Sequence, residues 1–97
     1  MTKLLSPELP ISFSKEVADA REHRRPLVAL ESHLIAHGAP YPRNFQLGRD
    51  LEAIVRKGGA VPATIAVIRG RLHVGLEREE LGTLARDPGA LDRKSVV

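Results

Sequence analysis

Glu31, His33 and His37 stand close together in the chain, and each is a side chain that transfers protons or holds metals. Glu31 ends the apolar run Pro26-Leu27-Val28-Ala29-Leu30, while Gly38, Pro40 and Pro42 stiffen the segment beyond the histidines. An apolar run of this length with a β-branched residue reads as a buried strand. Open α/β sheets keep their ligands just past the carboxyl ends of strands. A carboxylate in that place loses part of its hydration, which favours the protonated form and suits it to donate a proton. The plainer alternative for Glu31 is a strand-end carboxylate paired with a nearby arginine. The histidines give the pattern E-x-H-x-x-x-H, and on a helix that spacing puts two imidazoles on one face, as in zinc sites. Gly38 and Pro40 argue against a helix here, and no third ligand is recognisably spaced. Histidines bonded to loop backbone are the simpler reading, so no metal ligand is expected within this chain.

Other chemistry is thinly represented. Gly58-Gly59, Gly70 and Gly75 form neither G-x-G-x-x-G nor a Walker pattern, and caps and turns account for them. Arg69, Arg71, Arg93 and Lys94 could hold a phosphate; basic residues near a chain end are more commonly just solvated. No serine sits in a nucleophile-elbow pattern. The chain has no cysteine, which excludes disulfides, thiolate metal sites and cysteine nucleophiles, and fits a cytoplasmic setting.

Composition narrows the class further. Ninety-seven residues make at most one domain, with a thin core. The aromatics are Phe13, Tyr41 and Phe45 alone, which limits a core built without a larger partner surface. No apolar run is long enough to span a membrane. The net charge is +3, but the 15 basic residues alternate with 12 acidic ones along the whole chain. The only tight basic cluster is Arg24-Arg25 beside His23. Without a basic stripe or interleaved aromatics, nucleic acid is not an expected partner.

The elements that would position Glu31 follow from periodicity. Leu9, Ile11 and Phe13 alternate as a short strand or packed arm. Ser14 stands at an N-cap before a surface helix that ends at Pro26, with Val17, Ala18 and Ala20 as its narrow apolar stripe. Residues 27–30 form the strand ending at Glu31, and residues 32–43 read as loop. Asn44 caps the next helix, whose Leu47, Leu51, Ile54 and Val55 form one apolar face opposite Asp50, Glu52 and the basic residues. Gly58-Gly59 stops it. Residues 60–70 hold the strongest strand, Thr64, Ile65, Val67 and Ile68 being β-branched in a nearly continuous apolar run. Leu72-His73-Val74 is a short return strand. Leu76, Leu81 and Leu84 mark a last helix that ends at Pro88-Gly89. Strands alternating with amphipathic helices predict a three-layer α/β/α fold with a mainly parallel or mixed sheet. Two main strands leave that sheet incomplete, and Val96-Val97 reads as the start of another strand.

The motifs resemble those of the pseudouridine-5′-phosphate glycosidases, the indigoidine synthase A-like family. That family reads A-L-E-S-T-x-x-x-H-G-x-P-x-P-x-N, then G-A-V-P-A-T-I-A, a short glycine-containing turn, and a V-G-L that opens a helix beginning with acidic residues. Ala29-Leu30-Glu31-Ser32, His37-Gly38, Pro40, Pro42 and Asn44 match the first motif. Gly59 to Ala66 match the second, and Val74-Gly75-Leu76 with Glu79-Glu80 match the third. The resemblance is ungapped and covers nearly the whole chain. It implies reversible cleavage of pseudouridine 5′-phosphate to uracil and ribose 5-phosphate, with Glu31 as the proton donor. It also implies an imine-forming lysine, a manganese ion held through an aspartate, and a cytoplasmic homotrimer. The lysine and aspartate belong to later parts of the family. Two departures stand out. His33 replaces a threonine, and Arg93 with Lys94 stands where the family has a substrate-binding lysine.

The expectation is therefore that residues 1–97 form the N-terminal part of a single α/β glycosidase domain without an internal boundary, inactive alone. It would bind a small-molecule substrate and neither nucleic acid nor membrane. The alternative is a non-catalytic product, or an interaction module that pairs through exposed strand edges.

Overall fold

The computed structural model describes residues 10–87. The elements are β1 (Ile11–Phe13), α1 (Lys15–Glu22), β2 (Leu27–Glu31), α2 (Ser32–His37), α3 (Arg43–Lys57), β3 (Val61–Ile68), β4 (Arg71–Val74) and α4 (Arg78–Arg86). The β-branched run, as β3, lies inside a four-stranded sheet of order β1-β4-β3-β2. β2 runs parallel to β3, with Leu27 opposite Val61 and Glu31 opposite Ile65. β3 and β4 are antiparallel, and β1 is parallel to β4, so the sheet is mixed. Proline is tolerated inside this sheet for a simple reason. The Val61 N–H donates to Pro26 on the β2 side, so the nitrogen of Pro62 points the other way. There β4 pairs only with Ile65–Ile68, and no ladder bond is lost.

Alternation along β3 divides the core in two. Val61 and Ala63 pack with Val17 and Ala20 of α1 on one face. Ala66 joins Ile35, Ala36, Leu76, Leu81 and Leu84 on the other, where α2, α3 and α4 lie, with Phe45 and Ile68 packed against them. This is the expected α/β/α layering. Ile35 and Leu84 are completely buried, and each contributes roughly 2–3 kcal/mol of hydrophobic stabilisation.

Local chemistry explains most boundaries. The Ser14 hydroxyl accepts from the Val17 N–H at 3.1 Å and caps α1 as expected. The helix stops before Pro26. Arg24 takes a left-handed φ of 57°, and Arg25 N–H bonds Ala20 C=O while Arg24 N–H bonds Arg21 C=O, a Schellman closure without its usual glycine. Ala18, expected in the apolar stripe, is exposed. At α4 the Glu77 carboxylate and the Glu80 carboxylate close a reciprocal capping box, which places the start at Arg78.

Four expectations are corrected. The segment read as loop contains α2, a helical turn and a half held because Ile35 and Ala36 are buried against α3 and α4. β2, read as covered, is an edge strand among the described residues, with Leu27 39% and Val28 40% exposed. Asn44 does not cap α3: Pro42, which follows a cis peptide bond, is the capping position. Asn44 instead lies buried in the first turn, donating to Ala85 C=O at 2.8 Å and accepting from Phe45 N–H. Finally, the buried stripe of α3 is Asn44, Gly48 and Glu52, whereas Ile54 is 66% exposed. A Cβ at Gly48 would stand 3.2 Å from Ile35 Cδ1, so it is the small side of α3 that lets α2 approach. Pro88-Gly89 and Val96-Val97 lie outside the described residues.

Candidate functional site

Glu31 holds two positions at once. It is the last residue of β2 and the N-cap of α2, at φ −85° and ψ 132°, and its carboxylate makes no capping bond. The strand ends there because Ser32 to His37 turn inward to bury Ile35 and Ala36. Pairing with Ile65 puts the Glu31 side chain on the α1 side of the sheet. On that face α1 reaches only Val61 and Ala63, with Val74 packed alongside. Ile65 is half-buried and Val67 exposed, so among the described residues Glu31 borders a sheet face that no helix covers at the shared carboxyl end of β2 and β3. The expected desolvation is absent among the described residues, where Glu31 is exposed. The arginine partner of the alternative reading is not found there either. The carboxylate projects from a rigid strand–helix junction with both oxygens available, an arrangement suited to proton exchange with a ligand laid on that face.

The histidines follow on α2. His33 and His37 face the same way, with ring centroids 4.5 Å apart and planes inclined by 45°. They are brought together because the segment is helical, contrary to the loop expectation. Among the described residues no cluster of three or more His, Asp or Glu side chains could hold a metal ion.

The phosphate candidates separate. Arg69 occupies the two-residue β3–β4 turn with Gly70, both at positive φ, as the right-handed twist of a hairpin demands. Arg71 pairs with Ile68, which places its side chain on the α4 side, away from Glu31, and it donates to Ser12 Oγ at 3.1 Å. There Arg69, Arg71 and His73 line a groove of about 440 Å³ against Glu79 and Glu80 of α4. His73 stands 3.6 Å from Glu80. Arg93 and Lys94 lie outside the described residues.

A buried polar linkage escaped the sequence reading, which had put Glu52 on the solvent side. Glu52 is 7% exposed and accepts from Thr64 Oγ1 at 2.7 Å, joining α3 to the centre of β3. Arg56 reaches Glu52 at 3.4 Å and grips Glu16 of α1 through two bonds of 2.8 and 2.9 Å. The Arg56 hydrogen bonds hold the Glu16 carboxyl below its ordinary range, and the same bonds raise the arginine. The signal was present: a threonine within an apolar strand requires a polar partner once buried.

The comparisons with known proteins agree with one another. The model of the indigoidine synthase A like protein family matches residues 16–96. Pseudouridine-5′-phosphate glycosidase 1 of Rhizobium johnstonii is 62% identical over 86 residues, covering 89% of this chain and 27% of the relative. The pseudouridine-5′-phosphate glycosidase of Escherichia coli K12 is 51% identical over 83 residues, covering 86% and 26% respectively. The chain thus spans about a quarter of the length of the curated relatives it matches. Among solved structures, an indigoidine synthase A-like protein from Thermotoga maritima superposes with a TM-score of 0.64 at 26% identity, over 82% of this chain and 25% of that one. A prealnumycin C-glycosynthase crystallised with ribulose 5-phosphate gives 0.65 at 36% identity, over 91% of this chain and 32% of that one.

Proposed function

The chain belongs to the indigoidine synthase A-like family, and on that premise we propose that it serves the cleavage of pseudouridine 5′-phosphate to uracil and ribose 5-phosphate, with Glu31 as proton donor. The observation that carries the reading is the position of Glu31. It is an unengaged carboxylate at the carboxyl end of a parallel strand pair, in a segment 62% identical to a named glycosidase. The ribulose 5-phosphate held by the C-glycosynthase neighbour supports a pentose phosphate as the ligand class.

The chemistry asks for an acid in this place. The bond to be broken is carbon–carbon, so protonating a glycosidic oxygen cannot release the base. The ribose ring must open first, and its ring oxygen needs a proton as the carbon–oxygen bond gives way. A carboxyl group fixed at a strand end delivers that proton without reorganising the backbone. Manganese, which the resemblance implies is held through an aspartate in later parts of the family, has no group of three donors to receive it among the described residues. Arg93 and Lys94 are proposed phosphate contacts on the strength of the resemblance alone. The cytoplasm and a homotrimeric assembly belong to the same proposal.

The test is a chimera in which these residues replace the matching segment of the Escherichia coli relative, assayed for uracil release from pseudouridine 5′-phosphate. The chimera turns over substrate, and its Glu31→Gln form loses roughly 10²–10⁴-fold in kcat. Normal turnover by Glu31→Gln would remove Glu31 from the reaction, and an inactive but folded chimera would remove the segment from the activity.

A further inference from the structure

β2 is a sheet edge that lacks the usual protection of edges. The Val61 N–H bonds Pro26 C=O, so alternation turns the backbone groups of Leu27 and Ala29 away from β3, and no described strand lies beyond them. Natural edges are blunted by brevity, by charge or proline, or by a covering group. The opposite edge, β1, follows that rule: it is three residues long, and the Arg21 guanidinium lies 4.3 Å from the centre of the Phe13 ring. β2 does not. It runs for five residues, and from Leu27 to Leu30 it carries neither a charge nor a proline.

Both faces of β2 are open as well. Leu27, on the α1 side of the sheet, and Val28, on the other side, are each about two-fifths exposed. The opening on the α1 side continues across the sheet to exposed Val67. A strand in a parallel pair is ordinarily covered on both faces.

The relatives supply the occupant. The match with the Rhizobium johnstonii glycosidase takes in 89% of this chain and 27% of that protein, which leaves about three quarters of the relative to be packed against these elements. The solved Thermotoga maritima structure likewise extends far beyond the 25% that superposes. A body of that size needs an apolar surface and a strand edge to join, and β2 offers both in one place. We propose that β2 is the seam on which the remaining three quarters of the family's domain docks, adding a strand along Leu27–Leu30, and that the seam forms even when that remainder is a separate polypeptide. The proposal rests on the family reading and not on the proton transfer assigned to Glu31, because docking is read as association and the reaction as uracil release.

The test co-expresses the tagged chain with the Escherichia coli relative from which the matching segment has been deleted. The two copurify as an equimolar complex, in which amide hydrogen exchange across Leu27–Glu31 slows by about tenfold or more relative to the chain alone. Val28→Lys, shown folded by circular dichroism, weakens the capture by about tenfold or more, since the lysine would be buried in the seam. Ile11→Lys, at the β1 edge, captures as the parent does. Failure of the parent chain to copurify, undiminished capture by folded Val28→Lys, or loss of capture in folded Ile11→Lys alone overturns the seam. A dimer of the chain by itself, abolished by Val28→Lys, puts a second copy on the edge and overturns it too. A complex that forms and is protected at β2, yet releases no uracil from pseudouridine 5′-phosphate, upholds the seam and counts against the reaction.

Discussion

Replacing Gly75 with alanine brings two separate costs to one atom. Gly75 follows β4, is buried, and has φ of 86°, in the left-handed region that L side chains rarely adopt. Its N–H bonds Thr64 C=O at 2.9 Å, so the backbone cannot rotate away without releasing the centre of β3. A Cβ built there would meet Val17 Cγ2 at 2.5 Å and press on the Ser14 hydroxyl. That hydroxyl caps α1. The conformational strain is worth about 1–3 kcal/mol, and forcing a methyl group into a filled core about 1–3 kcal/mol more. Gly75→Ala should therefore lose about 2–6 kcal/mol, a large share of the roughly 5–15 kcal/mol available to a domain of this size. Gly70→Ala is the control. It has nearly the same φ, 80°, but nothing within 4 Å of its Cβ, so only the strain remains. Urea unfolding followed by circular dichroism compares the two. If they lose the same stability, the contact with Val17 and Ser14 contributes nothing and the reasoning is wrong.

Three more outcomes follow from the same geometry. Thr64→Val keeps the shape of β3 but withdraws the hydroxyl from buried Glu52, and should cost about 1.5–3 kcal/mol in urea unfolding; a loss below 0.5 kcal/mol would mean that water replaces the bond. Arg24→Gly relieves the positive φ that ends α1 and should raise stability by about 1 kcal/mol, measured as a shift in thermal midpoint. The Glu16–Arg56 pair stabilises the fold fully above the ordinary glutamate range, about pH 4.3, and that contribution disappears as pH falls through the lowered folded value of Glu16. Because both side chains are more than a third exposed, the effect is at most about 1 kcal/mol. Glu16→Gln should destabilise more at pH 7 than at pH 3, and an equal deficit at both would assign the loss to packing.

What the sequence disclosed depended on how locally each feature is determined. β3 was legible because four β-branched residues state their preference without help. The cap of α1 was legible because Ser14 and its partner are three residues apart. α2 was not, since six residues cannot hold a helix in water and this one exists through the burial of Ile35 and Ala36 against other elements. The face of α3 was misread for a related reason. Counting apolar residues selected Leu47, Leu51, Ile54 and Val55, while close approach by α2 required the small Gly48, and buried Thr64 required the acceptor oxygen of Glu52. Glu31 was found at its strand end because the apolar run stops on it. Its burial was not, because burial belongs to whatever lies beside β2, and among the described residues only β3 does.

The parallel pairing of β1 with β4 has a consequence during synthesis. Ser12 and its partner Arg71 are 59 residues apart, and the amide of Leu72 closes on the carbonyl of Pro10. A ribosome adding about 5–20 residues per second makes β1 several seconds before the strand that receives it emerges. Through that interval Ile11 and Phe13 have no sheet to join. The parallel pair β2–β3 is available before β4 emerges, and among the described strands β1 can join only the edge that β4 supplies. Among the described strands β1 is the first translated, and it waits longest for its hydrogen-bonded partner.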